Sequence, residues 1–138
     1  MERVLLILPS VVGMSRSQVP PLGLGYIAAM IQDEYEVEIF DMGAAKASKS
    51  DLIEILKTKR PGLVGISSIV NGHNNGLRIA KVVKEVLGDE VLTVMGGPHV
   101  TFLVEETLTQ NACIDIVSLK EGEYSIKELT DYILAREI

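Results

Sequence analysis

The chain has 138 residues, 47% of them hydrophobic and 23% charged, with a formal net charge of −6. That length and balance fit one soluble globular domain over residues 1–138, and its scattered Lys and Arg argue against nucleic acid or an anionic membrane surface as partners, since both require basic patches. The lone cysteine, Cys113, cannot close an internal disulfide, form a CxxC pair or hold an iron–sulfur cluster within this chain. No apolar run reaches the length of a membrane span. Met1-Glu2-Arg3-Val4 has no signal-peptide layout, so the expected location is the cytoplasm.

Residues 4–8 are a continuous apolar run, as expected of a strand covered on both faces. Residues 9–21 follow as a long loop with Gly13, Ser15, Ser17, Pro20 and Pro21. Leu24, Ile27, Ala28 and Ile31 then recur at helical spacing. Val37, Ile39 and Asp41 alternate with Glu38 and Phe40, predicting a strand nearer an edge. A helix is expected from Ser50 or Asp51 to about Lys59, with Leu52, Ile53 and Leu56 inward and Pro61-Gly62 ending it.

Residues 63–66 read as a third strand that runs into Ser67-Ser68. Asn71-Gly72-His73-Asn74-Asn75-Gly76 reads as loop. After it, Ile79, Val82, Val83 and Val86 share one helical stripe and Gly88 caps the end. The fourth strand, residues 91–95, leads into Gly96-Gly97-Pro98-His99. A helix holding Leu103, Thr107 and Leu108 comes next, with Cys113 as a core residue beyond it. A strand over residues 114–117 and a helix with Ile126, Leu129 and Ile133 on one face complete the pattern.

Strict alternation of strand and helix predicts an α/β fold with a doubly wound, five-stranded parallel sheet, right-handed crossovers and helices on both faces. Units of this number and length suggest the flavodoxin-like, Rossmann-like strand order 2-1-3-4-5. The loops after strands one, three, four and five then meet at one sheet edge and collect most of the Gly, Pro, Ser and His. Gly96-Gly97 has no Cβ to hold a ligand away from the backbone; taken alone, the pair reads first as a plain tight turn into the next helix.

Several uses of such an edge fail at named positions. A phosphoacceptor receiver needs acidic residues where Leu8-Pro9-Ser10 and Ser67-Ser68 stand, and a P-loop needs Gly-Lys followed by Ser or Thr. Gly23-Leu24-Gly25-Tyr26-Ile27-Ala28, with Asp41 downstream, resembles a dinucleotide fingerprint but lies too far beyond the first strand. A flavin phosphate loop would be short and flanked by aromatics, and the chain has no Trp. His73 and His99 fit helix-start hydrogen bonding or ligand contact, with no converging set for zinc. Glu105-Glu106 and Glu121/Glu123 fall in first helical turns, where carboxylates offset the helix dipole.

Four motifs nevertheless occur in order at strand ends: Pro20-Pro21-Leu22-Gly23-Leu24-Gly25-Tyr26, Val64-Gly65-Ile66-Ser67, Gly96-Gly97-Pro98-His99 and Glu121-Gly122-Glu123. The series, over nearly the whole chain, resembles the amino-terminal cobalamin-binding domain of the cobalamin-dependent radical S-adenosylmethionine enzymes. Ser67-Ser68-Ile69 followed by Gly96-Gly97 also resembles the Ser-x-Leu and Gly-Gly motifs of cobalamin domains in mutases and methionine synthase. Those relatives carry Asp-x-His-x-x-Gly after strand one, whose His ligates cobalt, and this chain has no His there.

The resemblance implies cobalamin held with its dimethylbenzimidazole tail detached from cobalt and no protein His in its place. It implies contacts at Ser67, Ser68, Ile69 and Asn71 after strand three, and at Gly96, Gly97, Pro98 and His99 after strand four. It adds Gly122 and Glu123 after strand five, with Pro21 and Gly23 in the first loop. The nucleotide tail would enter beside Gly96-Gly97, with Ser67 and Ser68 offering hydroxyls and loop N–H groups holding the phosphate. No residue receives a catalytic or metal-ligating role.

Val104 stands where the family often has Pro, and Lys120 where it often has Gly. The Cys-x-x-x-Cys-x-x-Cys run of the radical domain is absent. The expectation is a binding module, without activity of its own, for a radical S-adenosylmethionine methyltransferase-type or cyclase-type partner domain. Two alternatives stay open: a non-binding interaction or structural domain of the same ancestry, favoured by Lys120, and a flavin- or nucleotide-binding flavodoxin-like protein.

Overall fold

Apolar residues on both sides of a strand need a layer of helix on each face of the sheet, and the chain builds that sandwich. The computed structural model describes residues 3–10, 22–68, 73–97, 103–119 and 123–134. Its elements are β1 (Arg3–Leu8), α1 (Leu22–Ile31), β2 (Glu36–Asp41), α2 (Lys49–Lys59), β3 (Leu63–Ser67), α3 (His73–Leu87), β4 (Leu92–Gly96), α4 (Val104–Gln110), β5 (Ile116–Ser118) and α5 (Glu123–Leu134). All strand pairs are parallel, in the order β2-β1-β3-β4-β5. The doubly wound topology expected from the sequence is the one observed.

The period of two along each strand sorts the core into two layers. Leu5, Ile7, Val64, Ile66 and Met95 point to one face, where α2 and α3 cover them with Leu52, Leu56, Ile79, Ala80, Val82 and Val83. Val4, Leu6, Leu63 and Val94 point to the other, under Leu24 and Ile31 of α1 and Ile126 of α5. Tyr35 closes that second layer: its hydroxyl donates to Asp131 at 3.1 Å, and burial together with that carboxylate pushes its pKa up.

Several boundaries differ from the sequence expectation, each for a local reason. Helix α2 starts at Lys49 because Ser48 caps it: Ser48 Oγ accepts the Asp51 N–H at 3.3 Å and the Asp51 carboxylate accepts the Ser48 N–H at 2.8 Å. The Ser48 N–H and the Ser48 hydroxyl, both donating to it, hold the Asp51 carboxyl below its usual range. Strand β5 is Ile116–Ser118 rather than residues 114–117, because the Ile114 N–H closes a turn onto Asn111 O at 3.1 Å. In α4 the inward residue is Thr107, while Leu108 is exposed. Helix α3 begins at His73, so Asn74, Asn75 and Gly76 are helical and not loop.

Cys113 is half-buried and packs against the α2/α3 layer, and burial pushes its thiol pKa up. At the amino ends of β4 and β5, Asp115 Oδ2 accepts from Lys84 Nζ at 2.6 Å, from the Thr93 N–H at 2.9 Å and from Thr93 Oγ1 at 3.2 Å. Lys84 Nζ also donates to Val91 O at 2.6 Å, so one cation ties α3 to both strands. No helix among the described residues is long and apolar enough to cross a membrane.

Candidate functional site

Parallel sheets bind ligands beyond the carboxyl ends of their strands, and here β3, β4 and β5 end together. Ser67 pairs with Gly96, and Gly96 with Ser118. The three residues form a row across the sheet. By strand alternation they lie on the face of Val94 and Ile116, the layer of α1 and α5. A side chain is therefore missing from the centre of a row whose two ends carry hydroxyls. A Cβ placed on Gly96 would sit in ordinary contact, 3.5 Å from Ser118 Cβ and 3.7 Å from Ser118 O. Gly96 thus leaves room for a methyl without collision.

Gly97 does something else. Its φ is +120°, a conformation open to glycine, and an added Cβ would collide with the Ser68 carbonyl oxygen and lie 3.0 Å from Ser68 N. Ser68 is fully buried and donates its N–H to Gly96 O at 2.6 Å. The close neighbour that excludes a side chain at Gly97 is the chain's own backbone, not space for a ligand. Gly96 and Gly97 thus differ in what an added side chain would meet.

Ser68 faces the other layer of the sheet. Its Oγ lies 2.7 Å from His73 Nδ1, inside the α2/α3 layer, and His73 itself is buried at the first turn of α3. The hydroxyl is engaged within the protein, and of these two serines it is Ser67, half-buried, that lies on the α1/α5 side. The first turn of α3 seats closely on the sheet: a Cβ on Gly76 would approach Met95 Cε at 3.1 Å and Ile66 Cγ2 at 3.3 Å. Asn75 Nδ2 donates to Ser10 O at 2.8 Å, tying that turn to the end of β1.

Two buried hydroxyls lack a hydrogen-bond partner among the described residues, Ser118 Oγ and Thr107 Oγ1. Thr107 lies mid-helix in α4; Ser118 belongs to the strand-end row. Among the described residues no group of three or more His, Cys, Asp or Glu is arranged to hold a metal ion. What the edge offers is hydrogen bonding around a gap, which suits an organic ligand with polar atoms.

Comparison with known proteins gives the edge a context. The profile of the B12 binding domain family matches residues 9–130. The chain belongs to the B12 binding domain family. It is 39% identical over 133 residues to the uncharacterized methyltransferase PH0819 of Pyrococcus horikoshii, covering 94% of this chain and 29% of that protein. It is 31% identical over 144 residues to the cytidylyl-2-hydroxyethylphosphonate methyltransferase of Streptomyces wedmorensis, covering 88% and 27%.

In three dimensions this B12 binding domain resembles the radical S-adenosylmethionine methyltransferase TsrM of Kitasatospora setae, solved with cobalamin and a [4Fe-4S] cluster (TM-score 0.83, 20% identity, all of this chain and 26% of that one). It likewise resembles the cobalamin-dependent S-adenosylmethionine radical enzyme OxsB (TM-score 0.84, 19% identity, all of this chain and 19% of that one). The chain spans less than a third of the length of these curated relatives.

Of the residues singled out in sequence, the structure brings Ser67, Gly96 and Gly97 together at the strand ends, with Ser68 beneath them. Gly23 lies in the first turn of α1, exposed, with nothing within 4 Å of an added Cβ. Glu123 opens α5. Pro21, Ile69, Asn71, Pro98, His99, Lys120 and Gly122 lie outside the described residues. Sequence reasoning missed Ser118, the Ser68–His73 pair and the packing role of Gly76. A polar residue closing the apolar pair Ile116-Val117 was the one available signal for Ser118.

Proposed function

We propose that this B12 binding domain holds cobalamin by its nucleotide tail, detached from cobalt, with no protein His taking its place. It would serve a radical S-adenosylmethionine catalytic domain of methyltransferase or cyclase type and have no activity of its own. The observation that carries the reading is the side-chain-free Gly96, in register with Ser67 at the strand ends of a chain in this family. Ser67 would hydrogen-bond the tail and Gly96 would admit it, while Gly97 and Ser68 hold the two strand ends in place. When bound, cobalamin supplies a cobalt centre that carries a methyl group between donor and acceptor.

The position of His73 supports its absence from cobalt; His99 lies outside the described residues. The chain has two His residues. His73 is buried with Nδ1 on Ser68 Oγ, under the α2/α3 layer and on the opposite side of the sheet from the row. The partner domain is inferred from the extra length of the relatives, whose names describe a methyltransferase, a magnesium-protoporphyrin monomethyl ester cyclase and radical enzymes.

The test is gel filtration of the full chain with excess hydroxocobalamin. Co-elution of about one corrinoid per chain is expected, with Gly96→Leu losing it while remaining folded. Corrinoid that runs entirely with the free small-molecule fraction would remove the proposal.

A further inference from the structure

We propose that Ser118 is a second hydrogen-bonding contact for the nucleotide tail, facing Ser67 across Gly96; the assignment rests on the cobalamin reading above. Two independent observations carry it. The first is register: Ser67, Gly96 and Ser118 are successive partners across β3, β4 and β5, and a Cβ on Gly96 would lie 3.5 Å from Ser118 Cβ. Ser118 is therefore the wall of the gap on the β5 side. The second is chemistry. Ser118 Oγ is buried and has no hydrogen-bond partner among the described residues.

Buried hydroxyls are almost always paired, because desolvating one without a partner is unfavourable. Ile116 and Val117, which precede it in β5, join the two apolar layers, and an alanine or valine would continue that pattern without an unpaired oxygen. The hydroxyl makes physical sense when a polar atom reaches it from the Gly96 side, past the Ser118 Cβ and carbonyl oxygen that line that side. A nucleotide tail supplies such atoms in its base nitrogen, its ribose hydroxyls and its phosphate. A serine hydroxyl both donates and accepts, so it can serve any of them.

The experiment compares cobalamin with cobinamide, the same corrin without the nucleotide, on wild-type protein, Ser118→Ala and Ser118→Val, together with the melting temperature of each ligand-free protein. Wild type is expected to bind cobalamin more tightly than cobinamide. Ser118→Ala should lower cobalamin affinity about two- to tenfold, the worth of one neutral hydrogen bond, and leave cobinamide affinity unchanged. Ser118→Val, which adds bulk beside the gap, should lower cobalamin affinity further.

The ligand-free Ser118→Ala protein should melt at the wild-type temperature or above it, since an unpaired buried oxygen has been removed. A drop in its melting temperature with cobalamin affinity unchanged would make Ser118 structural and overturn the assignment. So would equal losses for the two corrinoids. Wild type that separates cobalamin from cobinamide, with Ser118→Ala separating them equally well, overturns this assignment alone. Wild type that binds neither overturns the cobalamin reading as well.

Discussion

Gly97→Ala is expected to destabilise the protein by about 3 kcal/mol or more, through a backbone conformation unsuited to a side chain and a collision with fixed neighbours. The φ of +120° is the first source and the Ser68 backbone the second. Ser68 cannot retreat, because it is fully buried, its N–H is bonded to Gly96 O and its hydroxyl meets His73. Gly96→Ala is expected to stay within about 1 kcal/mol of wild type, as its added methyl meets Ser118 at an ordinary distance. Urea unfolding of the two variants checks the contrast. Equal midpoints would refute the division of labour between the two glycines. The contrast also determines how binding data should be read: corrinoid loss in a Gly97 variant reports a damaged fold, whereas loss in a folded Gly96 variant reports a filled gap.

The second large effect lies at the opposite end of the sheet. Asp115→Ala is expected to cost about 2–3 kcal/mol, because it leaves the Thr93 N–H without its acceptor and a largely desolvated ammonium without its counter-charge, held among the described residues by Val91 O alone. Lys84 is the group at risk: its side chain is 12% exposed, against 31% for Asp115. Thr93 is fully buried between β3 and β5, so water cannot replace the lost bond. Asp115→Asn should recover part of the loss by keeping an acceptor oxygen. Corrinoid affinity of the folded variant should match wild type, since the proposed site lies at the carboxyl edge. A change in affinity larger than the change in unfolding midpoint explains would contradict that separation.

Much of the fold was legible because it depends on local pattern. Continuous apolar strands, the Ile79/Val82/Val83 stripe and Gly88 at the end of α3 are written in neighbouring residues, and strict βα alternation leaves few topologies. Boundaries were lost where a single hydrogen bond decides them, as at Ser48 for α2 and Ile114 before β5. His73 looked like loop because Asn74, Asn75 and Gly76 are poor helix formers; the buried contact of His73 with Ser68 and the seat of Gly76 on Met95 and Ile66 override that preference.

At the site, the serine after β3 and the glycines after β4 were visible as motif. Their roles were not. Which serine faces which layer follows from strand parity, and Ser67 and Ser68 have opposite fates for that reason. The crossing of Gly97 over Ser68 joins residues far apart in the chain, as does the salt bridge of Lys84 with Asp115, and no spacing rule announces either one. Ser118 became notable only once β5 was in register with β4.

The most direct measurement is the electron paramagnetic resonance spectrum of the bound corrinoid reduced to cobalt(II). A nitrogen on the lower axial position splits the cobalt lines into triplets, whether it comes from the tail's own base or from a histidine. With the tail lodged beside Gly96 and no His on the metal, the bound form should show cobalt lines without nitrogen splitting. Triplet splitting retained in the protein-bound corrinoid would contradict it.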